Sequence, residues 1–293
     1  MRMDGQEESS NVEDVRGMSG GGGGFGFGGG TIGIGTIVVA VIAGWIFGIN
    51  PLTLLGLAGG GSEGSVQTAP AGLAPAPPQN DAQARFVSQV LRSTEQVWTD
   101  IFRENGRTYH PPKLVIYRGT WQTGCGGGSA AMGPFYCPVD QKVYIDLRFY
   151  DLMEQKLHAP GQFAQAYVIA HEVGHHVQQE LGIMDKVDAL RSRSSEAQQN
   201  ALSVRVELQA DCFAGVWANR SQREQGWRLE PGDLETALNA AAQIGDDTLQ
   251  QRSRGTVVPE TFTHGTSAQR VAWLKRGVES GSVDRCNTFQ SPG

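Results

Sequence analysis

The chain has 293 residues, and its 24 Lys and Arg are outnumbered by 30 Asp and Glu, which gives a formal net charge of −6 at pH 7. This mildly acidic balance, without a cluster of basic residues, disfavours nucleic acid as a partner. The length permits one large domain or two small ones, and the composition leaves the oligomeric state open.

The N-terminal part of the chain is poor material for a folded core. Residues 1–30 are expected to form a disordered tail, because their many glycines lose much conformational entropy on folding. Residues 31–50 are apolar and uncharged over about the length that a helix needs to cross a bilayer, which predicts a single transmembrane helix. A buried core helix or a signal-peptide apolar region are the alternatives, but the run starts far from the N-terminus. Residues 51–80 predict a flexible linker rich in Gly, Ala and Pro, and residues 81–293 the folded domain.

Few charges flank the predicted span. Arg2 and Arg16 precede it, and no Lys or Arg follows it until Arg85. The positive-inside rule therefore favours a cytoplasmic N-terminus, with the folded domain on the opposite side of the membrane.

The four cysteines all lie in the predicted folded domain, and none has the CxxC spacing of a zinc or redox site. An even number of cysteines suggests disulfides in an oxidising compartment, and the pairs we predict are Cys125–Cys137 and Cys212–Cys286. Four buried free thiols are the alternative, because free cysteine is often buried.

The folded domain is predicted to open with a helix over residues 81–105, where apolar residues recur at helical intervals. Residues 113–117 and 142–147 have the composition and alternation of strands. A glycine-rich stretch lies between these strands, and further helices follow them. This order of elements predicts an α+β domain.

The residues from His171 to His175 read His-Glu-Val-Gly-His. The apolar spacing from Phe163 onward predicts a helix through this motif, with Gly182 as its stop. Residues four apart share one face of a helix, so His171 and His175 can present two imidazoles to one metal ion. Glu172 lies next to the first of them, within reach of a metal-bound water. This pattern is typical of a catalytic zinc site with one coordination position left for water.

A second helix is predicted around Glu207 and Asp211. Two carboxylates one turn apart repel each other on an isolated helix. Their spacing is explained if Glu207 is a zinc ligand and Asp211 accepts the other ring N–H of a zinc-bound histidine. The alternative is that both are solvated helix charges.

The motifs HEVGHHVQ and ELQADCFAGVW resemble the gluzincin arrangement, in which HExxH precedes a helix that carries ExxxD. The chain as a whole resembles the bacterial family of neutral zinc metallopeptidases with an N-terminal membrane anchor. The similarity extends to the stretches NVEDVRG, GPFYCPVDQKVYIDLRFY, THGTSAQRVAWLKRG and RCNTF. It implies a zincin-like domain, mostly helical with a small sheet. Together with the predicted orientation, it places this domain on the periplasmic side of the bacterial cytoplasmic membrane.

The resemblance also implies the roles of the zinc-site residues. It implies one zinc ion with His171, His175 and Glu207 as its ligands. Glu172 is then the catalytic base, and Asp211 orients a zinc-bound histidine. The resemblance further implies a sheet edge beside the metal helix that holds an extended peptide substrate. Segment 125–137 is our candidate for this edge, although a disulfide-closed loop without a substrate role fits the sequence equally well.

Three other residues, His264, Arg270 and His176, are further candidates for a role at or near the site. Late histidines in related zinc peptidases help to bind the oxyanion, so the resemblance suggests His264 as a transition-state stabiliser, although a capping or core role fits equally. Arg270, on a helix predicted at residues 267–277, could pair with an active-site carboxylate. His176 lies about 100° around the helix from His175 and is predicted to be structural.

These assignments predict a zinc-dependent metalloendopeptidase in which Glu172 takes a proton from the attacking water and passes one to the leaving amine. One rival is a catalytically silent, zinc-containing binding or chaperone-like envelope protein, which would have no need of Glu172. Another is a purely structural zinc site, which would usually have four protein ligands rather than three.

Overall fold

The computed structural model describes residue 1 and residues 5–18, 80–129, 133–224 and 229–290. Within these ranges, no helix is both long enough and apolar enough to cross a membrane. The predicted span at residues 31–50 lies outside them, as do residues 2–4 and 19–30 of the predicted tail and almost all of the predicted linker.

The chain folds as an α+β domain, as predicted. Its described helices are α1 (Ala82–Glu104), α2 (Arg148–Gln155), α3 (Gln162–Glu180), α4 (Ile183–Arg191), α5 (Glu196–Glu224), α6 (Asp233–Gln243), α7 (Asp246–Arg254) and α8 (Ser267–Ser280). Its described strands are β1 (Val12–Asp14), β2 (Lys113–Tyr117), β3 (Thr120–Thr123), β4 (Gly126–Ser129), β5 (Phe135–Cys137) and β6 (Lys142–Asp146). The helices and strands predicted from periodicity are all present, and Gly182 takes the left-handed conformation just after α3.

The main sheet has four strands in the order β1-β2-β6-β5. Strands β1, β2 and β6 run parallel, and β5 pairs antiparallel with β6. Strands β3 and β4 form a separate antiparallel hairpin. Leu114 and Ile116 of β2 belong to the main core, whereas Val115 and Tyr117 belong to a smaller cluster, because successive side chains of a strand point to opposite faces.

The N-terminal arm, defined here as residues 5–18, is part of the folded domain. In β1, Val12 lies opposite Leu114 and Asp14 lies opposite Ile116. Both Val12 and the nearby Val15 are buried. For these residues the prediction of a disordered tail was wrong, because strand pairing and apolar burial compensate for the entropy of ordering the arm. The glycine-rich residues 19–30 remain outside the described ranges.

Helix α1 begins where the sequence predicts it. The Asp81 side chain caps the helix by accepting a hydrogen bond from the Ala84 N–H over 3.0 Å. The same carboxylate accepts a hydrogen bond from Arg16 over 2.6 Å, so the cap is also an anchor for the arm. Such a cap contributes about 1 kcal/mol to helix stability.

Two helix crossings bring the candidate site together. Gly174 of α3 lies against Ala210 of α5, which lets these two backbones approach closely. Further along α5, Gly215 meets the backbone of α8 at Leu274 and Gly277. Because Gly215 and Gly277 have no Cβ, α5 and α8 pack almost backbone to backbone.

Both predicted disulfides are present, and no described cysteine is free. Cys125–Cys137 joins the β3–β4 hairpin to strand β5. Cys212–Cys286 ties α5 to the short helical turn that follows α8. The Cys212–Cys286 bridge therefore lies at the crossing of α5 with α8, where Gly215 and Gly277 meet.

Replacing Gly277 by alanine is expected to destabilise the fold. An added Cβ would overlap the carbonyl of Cys212, and that backbone cannot move without disturbing α5. Overpacking of this kind costs about 1–3 kcal/mol, occasionally more. The free energy of unfolding from denaturant titration measures it. Gly17→Ala is the control, because Gly17 is exposed and its added Cβ meets nothing. Equal stability of the two variants would contradict the close crossing.

Candidate metal centre

Three residues from two helices converge on one point. Ligand atoms of His171, His175 and Glu207 all lie within 4.8 Å of one another. The histidines share a face of α3, and Glu207 approaches them from α5 across the contact of Gly174 with Ala210. The side chains of His175 and Glu207 keep 16% and 20% of their surface exposed, so the point of convergence is open to solvent on one side.

The spacing of these groups fits a zinc ion. Nε2 of His171 lies 3.1 Å from Oε2 of Glu207, and Nε2 of His175 lies 3.5 Å from Oε1 of the same carboxylate. Two donors that each lie about 2.1 Å from one tetrahedral ion are about 3.4 Å apart. Two imidazoles and one carboxylate are also a donor set that zinc prefers. Among the described residues, these three form the group of His, Cys, Asp or Glu side chains whose spacing could hold a metal ion.

The first histidine is oriented by a buried polar chain. Nδ1 of His171 lies 2.9 Å from Oδ1 of Asp211, and Tyr167 donates its hydroxyl to the same oxygen over 2.6 Å. Arg270 donates to both oxygens of Asp211 over 2.9 Å. Asp211 is fully buried and Arg270 is 2% exposed. With Nδ1 engaged in this way, Nε2 of His171 is directed at the convergence point.

The charges in this buried hydrogen-bonded network control the protonation of Asp211 and His171. Burial raises the pKa of Asp211, but Arg270 and His171 outweigh burial and hold that pKa at about 2. Burial likewise lowers the pKa of His171, but the Asp211 and Glu207 carboxylates outweigh it and raise the pKa to about 10. In the protein without metal, His171 is therefore an imidazolium at neutral pH, and a metal ion has to displace its proton.

The predicted base, Glu172, is held from the sheet. The backbone N–H of Tyr136 in β5 donates to Oε2 of Glu172 over 2.9 Å. Burial raises the pKa of Glu172 to about 7, although the nearby His171 charge opposes this rise. Glu172 is partly exposed, so a molecule from solvent can reach it. A carboxylate with a pKa near neutrality suits a group that both takes up and releases a proton.

Tyr136 is itself fixed by His176, the histidine that was predicted to be structural. The Tyr136 hydroxyl lies 3.1 Å from Nδ1 of His176, and Nε2 of His176 lies 2.7 Å from the carbonyl oxygen of His110. Both ring nitrogens are thus engaged away from the convergence point. Sequence reasoning missed Tyr136, because its contact with Glu172 uses a backbone group that no residue type announces.

The second histidine also has a partner that the sequence did not reveal. Nδ1 of His175 lies 2.9 Å from Oε1 of Gln178, one turn further along α3. The Gln178 amide donates to the carbonyl of Val206 and to the side chain of Gln209. Because Val206 precedes Glu207, Gln178 links the second histidine to the backbone next to the third candidate ligand.

His264 lies close to the centre, on the loop before α8. Its Nδ1 is 3.1 Å from Oδ1 of Asp246, whose other oxygen accepts the backbone N–H groups of residues 263–265. Burial lowers the pKa of His264, but Asp246 and Glu207 outweigh burial and raise it above its ordinary value. His264 therefore favours a positive charge beside Glu207. Sequence reasoning did not identify Asp246, which fixes this loop.

Of the other residues singled out in the sequence, Arg270 pairs with Asp211. Segment 125–137 is divided between β4 in the hairpin and β5 at the edge of the main sheet. Among the described residues of this segment, the contact with a candidate catalytic group is made from β5, through Tyr136.

Comparison with known proteins identifies the family. The family model described as "Putative neutral zinc metallopeptidase" matches residues 1–289, so the chain belongs to this family. It is 53% identical over 293 residues to "Uncharacterized protein YpfJ" of Escherichia coli K12, covering 99% of both chains. It is 41% identical over 210 residues to "Uncharacterized protein Mb2605" of Mycobacterium bovis, covering 68% of both chains. No solved structure matches the chain.

Asp211→Asn is expected to weaken zinc binding by about 10–100-fold, the usual effect of removing a carboxylate that orders a metal-bound histidine. Competition with a chelating dye measures this affinity. Asp188→Asn is the control, because Asp188 is exposed and pairs only along its own helix with Arg191. Unchanged zinc affinity in Asp211→Asn, with stability alone reduced, would show that Asp211 has no part in metal binding.

Proposed function

We propose that this member of the neutral zinc metallopeptidase family is a zinc-dependent metalloendopeptidase. In this proposal, His171, His175 and Glu207 hold the ion, and Glu172 is the general base. The observation that carries the proposal is the convergence of these three ligand atoms within 4.8 Å, with Glu172 next to them on α3. The contacts of α3 with the β5 edge and with α5 support the zincin-like architecture that we propose for the domain.

The ligand set suits catalysis better than a structural role. Structural zinc sites usually have four protein ligands, whereas three leave a position for water or substrate. Zinc held in this way supplies Lewis acidity, which acidifies water and polarises a carbonyl group. The remaining exposure of His175 and Glu207 provides access from solvent to this position.

Glu172 is placed to move protons. Because the Tyr136 N–H binds Oε2 of Glu172, the other oxygen is left to accept a proton from the attacking water. Glu172 then passes a proton to the amine that leaves when the peptide bond breaks. The hydrogen bond to β5 keeps this carboxylate in one orientation during both transfers.

His264 is proposed as the group that stabilises the developing oxyanion. In the protein without metal, Asp246 and Glu207 raise the pKa of His264, and an imidazolium N–H directed at the developing oxyanion would lower the barrier. Asp246 acts as a positioning residue, because it binds both the ring and the backbone of His264. Arg270 is assigned to the support of Asp211 rather than to substrate.

The substrate is proposed to be an extended peptide that lies along β5. The Tyr136 N–H points away from β6, towards Glu172, so the outer edge of β5 faces the metal centre. Pro134 and Pro138, which flank β5, have no N–H. Because the N–H and C=O of one strand residue point to the same side, the outer edge of β5 offers the Tyr136 carbonyl as an acceptor, to which an N–H of a bound peptide would donate.

We expect Glu172→Gln to keep zinc and to lose hydrolysis by about 10²–10⁴-fold, the usual contribution of a general base. The full-length protein in detergent is used, because the N-terminal arm is part of the domain. Bound zinc is quantified, and cleavage of casein is followed with and without a chelator. Glu154→Gln, at an exposed carboxylate on α2, is the matched control.

The same experiment separates the rival functions. Chelator-sensitive cleavage by wild type and by Glu154→Gln, but not by Glu172→Gln, establishes the peptidase and its base together. Zinc in every protein without cleavage in any would favour the catalytically silent binding or chaperone-like protein. Absence of zinc from folded wild type would overturn the site itself.

Replacing His264 by alanine is expected to lower kcat by about 10²–10³-fold, the usual loss when one oxyanion donor is removed. KM and zinc content should change little, because His264 is not among the proposed metal ligands. His110→Ala is the control, since the His110 ring is 74% exposed. A reduced melting temperature with unchanged kcat would assign His264 a purely structural role.

A further inference from the structure

The N-terminal arm is held to the domain along its whole length. Strand β1 forms a parallel ladder with β2, and the Leu114 N–H donates to the carbonyl of Asn11 over 2.9 Å. The Ser9 hydroxyl and the Asn11 amide donate to Oε1 of the buried Glu95 on α1 over 2.5 and 2.8 Å. Lys113 and Lys142, from β2 and β6, both pair with Glu13.

The arm leaves the domain beside the point at which the chain returns. Arg16 donates to Asp14 and to Asp81, and Asp81 caps α1. Residues 16 and 81 are therefore neighbours in space, although much of the chain lies between them. Both ends of the intervening segment start from the same corner of the domain.

That intervening segment carries the predicted membrane span. From Gly17 to Ser62 it contains no Asp, Glu, Lys or Arg, and residues 31–58 are its most apolar part. A single crossing of a bilayer core about 30 Å thick would put the arm and the domain on opposite sides. Strand β1 could not then pair with β2. Two helical crossings would need roughly 40 apolar residues, which is more than residues 31–58 supply.

We propose that residues 5–18 and the domain from residue 80 onward lie in one compartment, on the same side of the membrane. The two disulfides place that compartment among the oxidising ones. This topology replaces the cytoplasmic N-terminus expected from Arg2 and Arg16, and it does not depend on peptidase activity.

The test is to label single cysteines in the full-length protein expressed in Escherichia coli. Ser10→Cys reports on the arm, and Ser253→Cys on α7 is the matched probe of the domain, because both serines are exposed. Spheroplasts are treated with a membrane-impermeant maleimide before and after permeabilisation. Wild type controls for background, since its cysteines are all in disulfides. Limited proteolysis checks that both variants are folded.

The same labelling pattern at both positions is the expected result. Label at both before permeabilisation supports the proposal with the domain outside. Label at both only after permeabilisation would support the shared side but overturn the assignment to an oxidising compartment. Label at Ser253→Cys alone before permeabilisation, with Ser10→Cys protected, would overturn the proposal and restore the single crossing. The opposite pattern would overturn it as well.

Discussion

The candidate site depends on one buried ion pair, between Arg270 of α8 and Asp211 of α5. Removing one partner of such a pair typically costs about 3–5 kcal/mol, because the other charge stays buried without compensation. The pair is also satisfied on all sides, since Tyr167 and His171 take up the remaining capacity of Asp211. Three helices are thus linked through a single carboxylate, and the direction of the first histidine follows from it.

The two helices that carry this ion pair, α5 and α8, also lie unusually close to each other. Gly215 and Gly277 permit this approach, and the bridge from Cys212 to Cys286 prevents the helices from separating. Gln209, between the two metal-site carboxylates, donates to the carbonyl of Cys286. Packing, covalent linkage and polar contacts therefore constrain the same crossing. These constraints hold the two helices that support the candidate metal centre in one relative position.

The parts of this arrangement that the sequence predicts are those encoded within one element. HExxH and the Glu207–Asp211 spacing each lie on one helix, so the 3.6-residue period alone puts their members on one face. Strand β1 was not predictable in this way, because three residues carry no period and their partner strand is far away in sequence. The roles of Tyr136 and Asp246 were not predicted for another reason. In each contact a carboxylate binds a backbone N–H, and any residue other than proline can supply that N–H.

The two edges of the main sheet have different surroundings, and this difference affects how a substrate would bind. The arm covers the β2 edge through β1, whereas the β5 edge faces the metal centre with Pro134 and Pro138 beside Tyr136. An edge without free N–H groups cannot pair fully with another strand, which limits unwanted association. In the proposed reaction it has a second effect. A bound peptide can donate to β5 but gains no partner there for its carbonyl oxygens, so the scissile carbonyl stays free for the cationic groups of the site.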